Sequence, residues 1–435
     1  MTVARSVQHQ PAPNRSSHRP SACVIHSKTL SIVCFSRRPS VPIYIYKALG
    51  NGVIVTAEVV TIVTVVGTGG SLNFKWKPAF GASMLTLALG TVGHADPTID
   101  QYVTFSGFGT LGAVHSNYSQ ADFIGNVEQP RGAGYSRSWS STPDSDLGAQ
   151  AYITLTDALR SVVQVVSRYN ADGNYKPSLE WANLQYEVTS DLAVRLGRMA
   201  LPTFERSDIQ NVGYALPWVR VPIEMTYTDT ATHSDGVDVL YRLKTGAVTQ
   251  NLQAQLGATT EDLPGAAFDS TRASIVVLSD TLQYGDSSIH LVYQNYDHTG
   301  IPSVRLRVIG AGFTYDPGAW FVTGDSNYAQ DKFYGDFFAW YVSGGMRLGR
   351  FTPYAIYSTT HAPSAGTSGL RSLGNERTMS AGVRWDFAKN LDMKLQLQQV
   401  TMESLDDPAS FANLQPTARV GDKANVLSLV LDFVF

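Results

Sequence analysis

The chain has 435 residues, of which 43% are apolar and 16% charged, with a formal net charge of −3. This composition excludes both a disordered chain and a helical membrane protein. Cys23 and Cys34 are the only cysteines, so no disulfide, thiolate metal site or cysteine nucleophile can form after residue 34.

Charge is unevenly spread. Nine of the 33 Lys and Arg lie in residues 1–95, against one acid, Glu58. From residue 96 onward 24 basic side chains meet 35 acidic ones. The resulting net charge of about −11 argues against a nucleic-acid partner for the main body.

Residues 1–73 open on "MTVARSVQHQPAPNRSSHRP", which is basic, rich in Ser and Pro, and without periodicity. Residues 53–66 are apolar and β-branched, but Glu58 among them is costly at bilayer depth. Residues 74–95 carry a basic start, Lys75 and Lys77, then a short apolar run from Pro78 to Val92, then small residues up to Ala95. That is the pattern of a secretory signal peptide cleaved after Ala95. Such peptides stand at N-termini. Residues 1–73 are therefore expected to be a non-native or disordered extension from a start codon assigned too far upstream. The mature barrel is expected over residues 96–435.

"FSGFGTLGAV", Phe105 to Val114, spells G-x-G-x-x-G with Gly107, Gly109 and Gly112. A dinucleotide loop needs a buried strand before it and a helix starting on it. Here a cleavage site precedes it and the polar "HSNYSQADF" follows. The glycines are instead expected as small residues in a curved, tilted strand.

From residue 101 the pattern alternates with period two. In "NLDMKLQLQQV", Leu391, Met393, Leu395 and Leu397 take one face and Asp392, Lys394, Gln396 and Gln398 the other. This pattern predicts strands near 101–116, 146–157, 160–170, 179–189, 192–201, 234–244, 247–259 and 270–282. It continues with 286–297, 304–316, 318–328, 336–347, 350–361, 376–388, 390–402 and 423–435. A soluble sandwich and a membrane barrel both alternate, but only the barrel accounts for short turns at one end and long loops at the other. The expected fold class is all-β: a transmembrane antiparallel β-barrel of about 16 strands with short periplasmic turns and long extracellular loops. Strands ten and twelve alternate less cleanly. Arg305 and Arg307 share a parity with Phe313 and Tyr315, which points to a bulge. The last strand, "NVLSLVLDFVF", ends on an aromatic, with Phe433 and Phe435 on its apolar face.

With this first strand after a signal peptide, the "LGRMALP" end of strand five, the strand count and the terminal Phe435, residues 96–435 resemble the general porins of Gram-negative outer membranes. The resemblance implies a homotrimer of water-filled pores for small hydrophilic solutes, seated in outer-membrane lipid. Phe433 and Phe435 would be the assembly signal read by the barrel-insertion machinery. It also implies that the loop after strand five, residues 202–233, folds into the barrel and narrows it. An external flap on a neighbouring subunit is the alternative. The candidate constriction residues are Glu205, Arg206, Asp208, Tyr214, Trp218, Arg220 and Glu224. The candidate pore-wall bases are Arg168, Arg195, Arg198 and Arg384. "SDIQNVGYALPWVR" departs from the acidic, glycine-containing tip common in such porins, so selectivity does not carry over. The acid excess favours weak cation preference, set by Glu205, Asp208 and Glu224.

A sugar- or organic-acid-selective channel is the main alternative, with Tyr152, Trp181 and Tyr354 as candidate lumen aromatics. A barrel enzyme is a minor one. His115, His233, His290, His298 and His361 are the histidines after residue 95, and neither G-x-S-x-G nor H-E-x-x-H occurs. No cofactor, metal or nucleic acid is expected.

Overall fold

A computed structural model describes residues 23–26, 31–34, 44–47 and 102–435, apart from 228–230, 262–270, 299–304, 333–334, 364–373 and 406–407. The chain divides into two units, residues 1–90 and 91–435. In the first, Cys23–His26, Ser31–Cys34 and Tyr44–Lys47 form an antiparallel three-stranded sheet. These segments are rich in Val, Ile and Tyr, which suit strands. The signal-peptide segment 74–95 lies outside the described residues.

The second unit is a closed barrel of sixteen long antiparallel strands among the described residues. They are β1 (Val103–Ser116), β2 (Asp146–Thr154), β3 (Leu159–Arg168), β4 (Ser178–Glu187), β5 (Leu192–Ala200) and β6 (His233–Thr245). Next come β7 (Val248–Glu261), β8 (Thr271–Tyr284), β9 (Ser287–His298), β10 (Arg305–Tyr315) and β11 (Trp320–Asp331). The last are β12 (Phe337–Met346), β13 (Phe351–His361), β14 (Glu376–Ala388), β15 (Leu391–Met402) and β16 (Lys423–Val434). Each strand pairs with the next, and β16 closes on β1. All sixteen fall where the alternation put them, within a few residues.

Side chains obey the alternation. On β16, Leu429 is 42% exposed on the outer face, while Ser428 and Asp432 are buried on the inner one. A polar inside and an exposed apolar outside make an architecture matched to lipid, in which every backbone group must be paired within the ring. We expect the folded protein to migrate differently in unboiled and boiled detergent samples. Identical migration together with soluble fractionation would exclude the barrel.

The glycines of the first strand have a specific use. The Gly107 N–H donates to the Phe435 carbonyl at 2.9 Å, and the Phe435 N–H returns a bond of 2.9 Å to the Gly107 carbonyl. A Cβ on Gly107 would sit 2.2 Å from the Phe435 ring, and one on Gly109 would sit 2.6 Å from Phe433. The two rings, stacked with centroids 6.4 Å apart, therefore lie over bare backbone at the seam. This is the pairing of an aromatic with a cross-strand glycine.

β10 contains no bulge: its register runs unbroken from Arg305 to Thr314 against β9 and from Leu306 to Tyr315 against β11. Arg305 and Arg307 do face outward, at the long-loop end, where Arg305 pairs with Asp297 at 3.4 Å. The irregular pattern of β10 and β12 comes from their inner faces. Val308, Phe337, Ala339 and Tyr341 point inward and are buried against loop residues, so both faces of these strands are apolar.

The long-loop end carries its own small core. Asp122–Phe123, Ala133–Gly134 and Phe411–Ala412 pair as a three-stranded sheet that joins the first and last long loops. Phe123 and Tyr118 meet Phe411 edge-on at 6.2 and 5.8 Å. They pack in one buried cluster with Ile223, Tyr296, Met402 and Val426.

Candidate pore site

Residues 201–232 leave the end of β5 and return at β6. They start along the inner wall of β9–β11. His290 Nε2 donates to the Pro202 carbonyl at 3.0 Å, and Gln294 Nε2 to Thr203 Oγ1 at 2.8 Å. The Glu205 N–H donates to Asp325 Oδ1 at 3.1 Å, and its carboxylate accepts from Ser288 and from Thr314, the latter at 2.9 Å. The segment's tip reaches the other side. Lys394 Nζ donates to the Gly213 carbonyl at 2.7 Å. Arg384 donates to the carbonyls of Tyr214 and Leu216 at 2.7 and 3.0 Å and lies 4.9 Å above the Tyr214 ring. A Cβ on Gly213 would lie 2.5 Å from Thr110 Oγ1, so this glycine allows close approach to β1. Arg168 of β3 donates to Asn211 at 3.0 Å.

The return arm is packed more tightly. Trp218 is fully buried, edge-on to Tyr341 at 6.0 Å and 6.5 Å from Phe321, with Arg206 over its ring at 5.7 Å. Arg220 makes a bidentate pair with Asp144, both bonds 2.7 Å, and donates further to Gln398 at 2.9 Å and Ser428 at 2.6 Å. It also caps the Phe123 ring at 5.0 Å. A single helical turn, Ile223–Thr226, carries the buried Glu224. The partners on β3, β9, β10, β11, β12, β14, β15 and β16 all belong to inward faces, so the segment crosses the interior of the barrel.

Not every predicted residue faces open space. Asp208 is exposed, with Arg195 and Arg206 the nearest opposite charges acting on it. Glu205 and Glu224 are turned into the wall, and burial pushes both carboxyls above the usual range. Arg206, Tyr214, Trp218 and Arg220 serve as packing and anchoring groups. On the wall, Arg195 faces inward and bonds Asp238. Arg198 does not: it sits on the outer face opposite Asp235, to which it donates two bonds of 2.8 Å. The reason is parity, since residues three apart on a strand point to opposite sides. Arg168 and Arg384 are inward but engaged, Arg168 with Glu180 at 3.5 Å and Arg384 with Asp392 at 3.1 Å. Tyr152 and Trp181 also face inward, and Tyr354 is buried beneath the segment.

Asp144, Asp238, Lys394 and Asp432 were not among the predicted site residues. Lys394 pairs with Asp432 at 2.8 Å, both fully buried. The inward parity of "DMKLQLQ" carried that signal for Lys394. Asp144 stands in a long loop with no period to reveal it.

The fold is that of a sixteen-stranded barrel of porin type, with a chain segment held across its interior. No family model and no curated protein matches the sequence. Solved structures do match over 77% of this chain. OmpF of Salmonella typhi in complex with daunomycin is 13% identical over 97% of its own chain, with a TM-score of 0.51. An anion-selective porin from Comamonas acidovorans is 12% identical over 99%, with a TM-score of 0.50. OmpT of Vibrio cholerae lacking loop L8, an outer membrane protein, is 14% identical over 100%, also at 0.50. These are likenesses of fold.

Proposed function

We propose that the protein is an outer-membrane channel for passive diffusion of small hydrophilic solutes and ions, in which residues 202–233 form the constriction. One observation carries this reading: the segment after β5 is tied to inward side chains around much of the ring, from Ser288 and Asp325 through Arg384 and Lys394 to Arg168. A segment held at so many points narrows a lumen without needing to open. The path left for solutes runs between Asp208 and the polar inner faces of β2–β7, among them Gln150, Arg195 and Gln253 on β2, β5 and β7. The same reading makes the mature chain an exported homotrimer, inserted by the barrel-assembly machinery and without catalytic activity. The test is planar-bilayer recording of the purified protein. Discrete, ohmic conductance steps are expected, and a protein that inserts without passing current overturns the proposal.

A further inference from the structure

We infer that the pore selects small anions, through an unpaired pair of cations, Arg242 and Lys244, on the lumen face of β6. The inference deepens the channel reading and rests on it.

The fixed charges along the path decide this. Arg160 is paired with Glu187, and Arg195 with Asp238, so those cations are balanced. On the inserted segment, Arg206 and Asp208 offset one another. Arg242 and Lys244 follow Asp238 and Leu240 on the inward parity of β6, opposite Asn251 and Thr249 of β7. Both are exposed, and among the described residues neither makes an ion pair; on the β5 side the Arg242 backbone N–H donates to the Asp191 carbonyl at 2.8 Å. Their neighbours on the inner faces of β7 and β8 toward the short turns are Thr249, Asn251, Thr281 and Gln283, which are uncharged donors and acceptors. Glu205 lies on the β9–β11 side, where Ser288 and Thr314 hold it.

The acid excess of the whole chain suggests the opposite preference. At about 0.1 M salt, however, fields decay over roughly 10 Å, so acids on distant loops do not reach an ion beside β6. A cation pair at the short-turn end of the lumen raises the local concentration of anions there. Arginine and lysine two residues apart on one strand face also suit a small oxyanion, such as phosphate or a short carboxylate, which can accept from both.

Reversal potentials in a potassium chloride gradient test this. The wild-type ratio of chloride to potassium permeability is expected above unity. Arg242→Gln with Lys244→Gln should lower it severalfold, and Asp208→Asn should raise it. Added inorganic phosphate should reduce chloride current in the wild type and much less in the double variant. The gel shift on boiling verifies that each variant is folded. A wild-type ratio at or below unity, or a folded double variant with an unchanged ratio, overturns the inference while leaving the channel reading intact. An absence of conductance removes both.

Discussion

Arg220→Ala is expected to widen the pore and raise its conductance while leaving the barrel closed. Arg220 binds the inserted segment to the first long loop and to the wall at once, through Asp144, Gln398 and Ser428. Asp144 is itself almost fully buried, so removing its partner strands a charge; losses of this kind are about 3–5 kcal/mol. The barrel ring does not share that loss, because its strand pairing is backbone to backbone. The return arm should therefore loosen, giving larger and noisier current steps with an unchanged gel shift. Arg220→Lys keeps the charge but not the fork that engages both Asp144 oxygens, and should fall between. Exchanging the two residues, Arg220→Asp with Asp144→Arg, should recover part of the wild-type conductance. Wild-type current steps in a folded Arg220→Ala protein would show that the clamp does not position the segment.

Deleting Phe435 should abolish most assembled barrel. The deletion removes two backbone hydrogen bonds at the seam and uncovers Gly107. Each polar backbone group left unpaired toward hydrocarbon costs several kcal/mol. Gly107→Leu should produce the same defect from the opposite strand, since its side chain would occupy the space of the Phe435 ring. Phe435→Ala retains the backbone bonds and should be milder. The measurement is the heat-modifiable, surface-accessible fraction. Normal levels in both the deletion and Gly107→Leu proteins would remove any role for the aromatic seam in assembly.

The strand ladder was legible because a membrane barrel repeats one constraint sixteen times. Wherever the inner face stayed polar, at the lumen as at Asn251 and Gln253 of β7 or beneath the segment as at Lys394 and Gln398 of β15, the two-residue period was clean. Wherever it packed against apolar side chains of the loops, as at Val308 or Tyr341, apolar residues entered both faces and the period blurred. Arg305 was puzzling for a different reason. Its face is lipid-facing further along β10, but strand ends rise out of the hydrocarbon. The site was only partly legible. Loop length and its aromatics pointed to residues 202–233, yet which acids faced the lumen depended on partners such as Ser288 and Thr314, far away in sequence. The placement of Arg198 was readable: counting parity from Arg195 puts it outside.

The small core at the long-loop end is tied to closure of the ring. Tyr118 and Phe123 come from the beginning of the barrel and Phe411 and Val426 from its end, so their packing has almost the largest sequence separation the barrel allows. Contacts of such high order form late, after loop closure has been achieved by other means. Closure of β16 on β1 brings these groups together. The cap therefore depends on the same approach of the chain ends as the seam, and its presence works as a record that the seam has closed. Anything that slows sealing at Phe435 prolongs a state in which the mouth is unguarded, a cost borne by the permeability of the cell rather than by the stability of the chain.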